Sequence, residues 1–229
     1  WAVDKALKAQ QDIIEAYDNY NFWVVAQKIQ HFCSIEMGSF YLDIIKDRQY
    51  TAKNGSLAQR SCQTAMYHII EALARWMAPI LSFTANEIWQ HIPGERTGSV
   101  FIAEWYQGLF EAEGLSLTES DWAVISAVKT EVNKALESKR KEGVIGGSLE
   151  AEVTLNVNDD LFKVLSKLED EIRFVTITSQ AKLVAGSEGE KTELEGLSLV
   201  IEKSANDKCE RCWHYRDDIG SHAEHSTIC

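Results

Sequence analysis

A chain of 229 residues with 45% hydrophobic and 10% aromatic side chains carries enough apolar material for one or two folded domains and is no disordered tail. Its net charge of −12 disfavours generic adhesion to polyanions, so any contact with nucleic acid has to come from local basic surface. No apolar run approaches the roughly 20 residues needed to cross a bilayer. Trp1-Ala2-Val3-Asp4-Lys5 opens the chain with neither a methionine nor the apolar stretch of a signal peptide, as expected of a piece of something longer.

With only two prolines, Pro79 and Pro93, the first half can run in long helices. Phe22, Val25, Ile29 and Phe32 recur at helical spacing, as do Met66, Ile69, Ile70, Leu73, Trp76 and Met77. Pro79 ends or kinks the second of these helices. A further helix is expected from Thr84, with Thr84 as N-cap, Glu87 as its capping-box partner and Pro93-Gly94 as its stop. Residues 94 to 119 read as a long connection. Trp122, Ile125, Val128, Val132, Ala135 and Leu136 then give one more helix, closed by Lys139-Arg140-Lys141 and Gly143, cations and a glycine where a helix C-terminus favours them.

Beyond that helix the period changes to two. Ala151, Val153, Leu155 and Val157 alternate with polar residues in a half-buried strand. Phe174 to Thr178 reads as a second strand, and Leu197, Leu199 and Ile201 as a third. A short helix over 159–168 and an acidic, glycine-rich hairpin loop over 186–195 fill the intervals. The expected fold is mainly α: a helical bundle over 1–111, a small α+β unit over 112–204 and a truncated zinc-knuckle tail over 205–229.

Three of the five cysteines lie in that tail. Cys209-Glu210-Arg211-Cys212 is a Cys-x-x-Cys pair, and Cys229 follows after the interval at which a zinc ribbon places its second pair. The fourth tetrahedral ligand is either a cysteine beyond Cys229 or one of His214, His222 and His225. A redox reading fits poorly, because a thioredoxin-like pair belongs in a βαβ unit and this one sits in a polar tail. An odd cysteine count without a signal peptide argues against a disulfide framework and for reduced, cytoplasmic thiols. Cys33 and Cys62 read as core packing. No catalytic set stands out. His91-Ile92-Pro93-Gly94 ends a helix and lacks a second histidine, and Val144-Ile145-Gly146-Gly147-Ser148 lacks the lysine of a phosphate loop.

Two stretches carry a resemblance. Phe40 to Tyr50, and Arg75-Trp76-Met77-Ala78-Pro79 through Trp89, are similar to the helical domain of the isoleucyl, valyl and leucyl tRNA synthetases. Glu131 to Glu137, Ile145 to Ala151 and Lys208-Cys209-Glu210-Arg211-Cys212-Trp213-His214-Tyr215 resemble the isoleucine enzymes of bacteria in particular. The resemblance implies an anticodon-binding bundle, a C-terminal junction unit and the start of a four-cysteine zinc module. It implies that the whole enzyme joins isoleucine to tRNA(Ile) with ATP in the cytoplasm, as a monomer. The catalytic and editing domains would lie upstream, leaving this part non-catalytic.

On that footing the expected RNA contacts are Lys46, Arg48, Lys134, Arg140, Arg211 and Trp213. Splayed anticodon bases are read by ring stacking and edge hydrogen bonds, and Trp213 follows directly on a thiolate ligand. Packing inside the zinc module is an equal role for that ring. Residues 129 to 141 carry a local surplus of three positive charges. The competing expectation is a structural or protein-docking module with no RNA contact.

Overall fold

The apolar stripe through Ile69, Trp76 and Met77 becomes the buried face of one helix, whereas of the earlier stripe Val25 and Phe32 are buried and Phe22 is exposed. The structure, a computed structural model, describes residues 1–111, 114 and 116–229. The expected boundary between residues 111 and 112 falls at the edge of that set. Two units form, Trp1–Gly114 and Leu115–Cys229.

In the first unit, α1 (Ala2–Asp18) buries Ala2, Ala6, Ala9, Ile13 and Ala16 at three- and four-residue steps, the alanines letting neighbouring helices come close around Ile13. Helix α2 (Phe22–His31) runs on as a π-helical segment, Phe32–Tyr41, that buries Phe32 and Met37. Two short helices, α3 (Leu42–Ile44) and α4 (Lys46–Tyr50), lead to α5 (Leu57–Met77), where the Ser56 hydroxyl caps the Gln59 N–H at 3.3 Å. These helices converge on Trp76. Its fully buried ring meets Phe32 edge-on at 5.2 Å, and its Nε1–H donates to Gln10 Oε1 at 3.1 Å, so burying the indole leaves no orphaned donor. The two other cysteines part company: Cys62 is buried and Cys33 is exposed. The 3.6-residue face drawn through Phe32 does not continue into a π-helix, whose wider turn rotates Cys33 outward.

Helix α5 stops two residues before Pro79, as expected, but α6 (Ser82–His91) begins earlier than the sequence suggested. Leu81 occupies the N-cap position with no side-chain bond, and Thr84 lies inside the helix. The cause is the turn at Pro79: the Leu81 N–H bonds the Met77 carbonyl at 2.7 Å and Ser82 Oγ donates to the Ala78 carbonyl at 2.9 Å, so one helix feeds into the next without an interval for a cap at Thr84. On α6 the buried Trp89 ring has the Arg75 and Arg96 guanidiniums over it at 4.6 and 4.7 Å. The Glu71 carboxylate joins the two cations at 2.6 and 2.9 Å. Burial alone would raise the Glu71 carboxyl, but the bonds from Arg75 and Arg96 outweigh it and hold the group below its ordinary value.

The second unit opens with α7 (Glu119–Lys141), capped by the reciprocal Thr118–Asp121 box and ended by Gly143 at φ +76°. Its buried face, Ile125, Val128, Val132 and Leu136, packs on a four-stranded sheet. Strands β1 (Ala151–Val157), β2 (Gln180–Ala185), β3 (Glu190–Lys191) and β4 (Leu197–Lys203) lie in the order β2-β1-β4-β3. β1 and β2 are parallel; the other pairs are antiparallel.

The strand expected over Phe174–Thr178 is instead helix. Helix α8 (Asp159–Leu165) continues as a 3-10 segment, Ser166–Glu171, and then as α9 (Ile172–Thr176), stopped by Ile177 in the left-handed region at φ +55°. Ile172, Val175 and Thr176 are buried together at three- and four-residue steps, which a strand cannot do. A parallel partner for β1 also needs a crossover, and residues 159–176 supply it, so the strand begins only at Gln180. The hairpin loop expected over 186–195 carries the two-residue strand β3. No described helix is long and apolar enough to cross a membrane.

Candidate metal knuckle and nucleic-acid interface

The last 23 residues, from 207 on, build a hairpin of β5 (Asp207–Lys208) and β6 (Tyr215–Arg216), registered Asp207 on Arg216 and Lys208 on Tyr215. Between the two strands the chain makes a tight turn. The Cys209 N–H donates to the His214 carbonyl at 2.8 Å, the Trp213 N–H to the Cys209 carbonyl at 2.9 Å, and the Cys212 N–H points at Cys209 Sγ at 3.5 Å. The chain end is laid across this turn by Glu210 N–H on the Thr227 carbonyl, 3.2 Å. That brings Cys229 Sγ to 3.6 Å from Cys212 Sγ, and the three sulfurs of Cys209, Cys212 and Cys229 lie within 4.8 Å of one another. Among the described residues no histidine or carboxylate joins them. His214 is buried against the Phe174 ring at 6.2 Å, and His222 and His225 pair with each other through their backbones.

The donor set fits zinc. Thiolates about 2.3 Å from a tetrahedral ion sit roughly 3.8 Å apart, close to the Cys212–Cys229 separation, so three corners are in place. Burial works against ionising Cys209, but backbone N–H groups of Cys212, Cys229 and Arg211 prevail and bring its thiol down to about 6. Cys212, chiefly through burial, is pushed up to about 12. A bound cation would supply the charge that keeps all three deprotonated.

Trp213 does not pack the module's interior: its ring is 60% exposed, with the Lys208 ammonium over it at 5.3 Å. Its backbone stands at φ +67°, a region costly for a bulky residue and free for glycine. Arg211 is exposed in the same turn. On the bundle, Lys46 is 66% exposed and paired with Asp43 at 2.5 Å, while Arg48 is half-buried near Tyr41 and Cys62; burial raises both of these groups, and the Arg48 charge offsets that only in part.

The stripe on α7 is differently placed. Lys134 binds Glu131 at 2.8 Å and Glu193 at 2.5 Å; Lys139 binds Glu142 and Glu190; Arg140 holds Glu137 through two bonds of 2.8 and 3.0 Å. Buried Lys129 donates to the Val175 carbonyl at 2.8 Å. Lys208, ahead of the first cysteine, was missing from the expected contacts; its position one residue before the Cys-x-x-Cys turn was the available signal.

Fold and site together define a class of protein: a mainly helical recognition module extended by an α+β unit that ends in a thiolate knuckle. The chain belongs to the family described as the anticodon-binding domain of tRNA ligase, whose profile matches residues 1–155. A second profile, the zinc finger found in FPG and IleRS, matches residues 206–229. Similar proteins include isoleucine–tRNA ligases of Aliivibrio fischeri, 57% identical over 234 residues, Saccharophagus degradans, 54% over 231, and Yersinia pestis, 54% over 235. All of this chain is covered in each comparison, and the chain spans 25% of the length of each of these relatives.

Proposed function

We propose that the chain is the C-terminal, tRNA-gripping part of a cytoplasmic, monomeric isoleucine–tRNA ligase, and that it binds the anticodon stem and loop of tRNA(Ile) without catalysing a reaction itself. Activation of isoleucine with ATP and its transfer to tRNA then belong to domains upstream of Trp1. The carrying observation is Trp213. An indole left mostly exposed in a backbone conformation suited to glycine returns the fold little more than its strain costs, which points to an external partner. Unpaired bases present faces that such a ring can stack on, each stack contributing about 1–3 kcal/mol.

In this reading Cys209, Cys212 and Cys229 hold a structural zinc ion whose place is to stiffen the turn. Arg211 meets phosphate or a base edge, and Lys208 lies over the Trp213 ring. Lys46 and Arg48 add phosphate contacts from the bundle. Lys134 and Arg140 take part only by exchanging a glutamate for a phosphate, at little net gain. Titration of the 229-residue chain with tRNA bearing the isoleucine anticodon, at several salt concentrations, tests the proposal. Binding that weakens steeply with salt and is lost when the anticodon is replaced supports it; no preference for that tRNA over others refutes it.

A further inference from the structure

We infer that a cavity in the second unit, between the open edge of the sheet and the knuckle hairpin, is a subsite for one nucleotide of single-stranded RNA. This rests on the tRNA-binding reading above and assigns part of that binding to residues outside the knuckle turn. The cavity measures about 390 Å³, within the roughly 300–1,000 Å³ typical of small-ligand sites. Its walls include Arg173, Gln180, Lys182, Asn206, Tyr215 and Arg216.

Both walls are set before any ligand arrives. β2 is an outermost strand, so backbone donors and acceptors remain on its free edge. Ala181 and Leu183 pack into the core, which turns Gln180 and Lys182 away from it. Neither of these two side chains has an internal hydrogen-bond or ion-pair partner among the described residues. Opposite, the Tyr215 N–H donates to Ser179 Oγ at 2.6 Å, and that hydroxyl donates to the Leu149 carbonyl, fastening the hairpin to the sheet. Arg216 is locked by Asp218 through bonds of 2.7 and 2.8 Å.

The lining chemistry selects the ligand. Arg216 is already answered by Asp218, and Asp170 and Asp217 also lie on or beside the wall, so the lining cation with no internal partner among the described residues is Lys182. One unmet ammonium matches the single charge of a phosphodiester. The Gln180 amide pairs with a base edge, and the half-buried Tyr215 ring takes a base face. Tyr215 lies two residues after Trp213 on the same hairpin, so the cavity and the exposed indole share one short segment of chain.

The test uses three variants of the full 229-residue chain, Lys182→Ala, Gln180→Ala and, away from the cavity, Lys163→Ala, each checked for an unchanged circular dichroism spectrum. Titrated with tRNA bearing the isoleucine anticodon, Lys182→Ala should bind ~5-fold more weakly with the salt slope reduced by about one. Gln180→Ala should bind ~5-fold more weakly with the slope unchanged. Lys163→Ala should match the unmodified chain. If the unmodified chain binds and the two cavity variants bind as tightly, with the same slope, the subsite is refuted while the tRNA reading stands. Equal losses in Lys163→Ala and Lys182→Ala would refute it too, by showing a diffuse charge effect. If the unmodified chain does not bind, both readings fall together.

Discussion

Replacing Trp213 with glycine separates a ring kept for packing from a ring kept for RNA. At φ +67° a tryptophan costs the fold about 1–2 kcal/mol that glycine does not. Against that relief stand three losses. Glycine adds about 0.5–1 kcal/mol of chain entropy to overcome on folding. The exposed cation–π contact with Lys208 is worth about 0.5 kcal/mol. The ring is 60% exposed, so only the smaller part of the about 2–3 kcal/mol of a fully buried large side chain is lost, about 1 kcal/mol. Gains and losses nearly cancel, and urea unfolding of Trp213→Gly should differ from the unmodified chain by no more than about 1 kcal/mol. Affinity for tRNA, measured by fluorescence anisotropy, should drop by the value of one stack, ~5- to 150-fold. Trp213→Phe keeps a ring and should recover most of it. A loss of more than about 3 kcal/mol in stability, or a binding change below ~2-fold, would mean that the ring serves the knuckle's own interior and would remove the main support for the RNA reading.

Other perturbations address the bundle, the sheet and the charge stripe. Glu71→Gln leaves two guanidiniums on the Trp89 ring without their counter-ion and should cost about 3 kcal/mol by urea unfolding. Because folding lowers the Glu71 carboxyl from its ordinary 4.5, its contribution is full above that pH and fades as the pH falls through the folded value. The stability gap between the unmodified chain and Glu71→Gln should therefore narrow in acid; a gap constant down to pH 3 would contradict the ion-triad account. Gly196→Ala puts a Cβ at 2.1 Å from Asn158 Nδ2, at φ +82°, and displaces the side chain that caps the Leu161 N–H. It should cost about 2–3 kcal/mol, whereas Gly147→Ala, with nothing within 4 Å of its Cβ, should cost less than about 0.5 kcal/mol; thermal unfolding decides. Arg211→Ala should weaken tRNA binding ~5- to 10-fold and lower the salt slope by about one, while Lys134→Ala, already neutralised by Glu131 and Glu193, should change it less than ~3-fold.

The pattern of what could be read from the residues has a physical basis. Helix α7 and strand β1 were legible because each presents a regular apolar face to the same core, so periodicity alone identifies the element. Phe174 to Thr178 misled because the strand preference of β-branched and aromatic residues depends on the packing around them. Here the parallel neighbour of β1 required a crossover, and the same residues met their burial at helical steps. Thr84 misled because the break between the helices falls at residues 78–81, which gives the cap position to Leu81 and puts Thr84 already inside α6. The three cysteines were legible from spacing because thiolates must meet at one point, whatever folds around them.

Charge behaves in the opposite way. The surplus between residues 129 and 141 was a sum over neighbours in sequence, yet Lys134 and Lys139 are answered by Glu193 and Glu190, 59 and 51 residues away, on the loop and strand that return over the helix. A cationic run therefore marks a free surface only after the fold has said which carboxylates come back to it. Lys182 illustrates the converse: an unremarkable lone lysine in the sequence becomes, on an open sheet edge beside the knuckle hairpin, a cation without an internal partner among the described residues. Candidate phosphate contacts in this chain are thus better ranked by unmet charge in the folded state than by local density, which places Arg211 and Lys182 ahead of the whole α7 stripe.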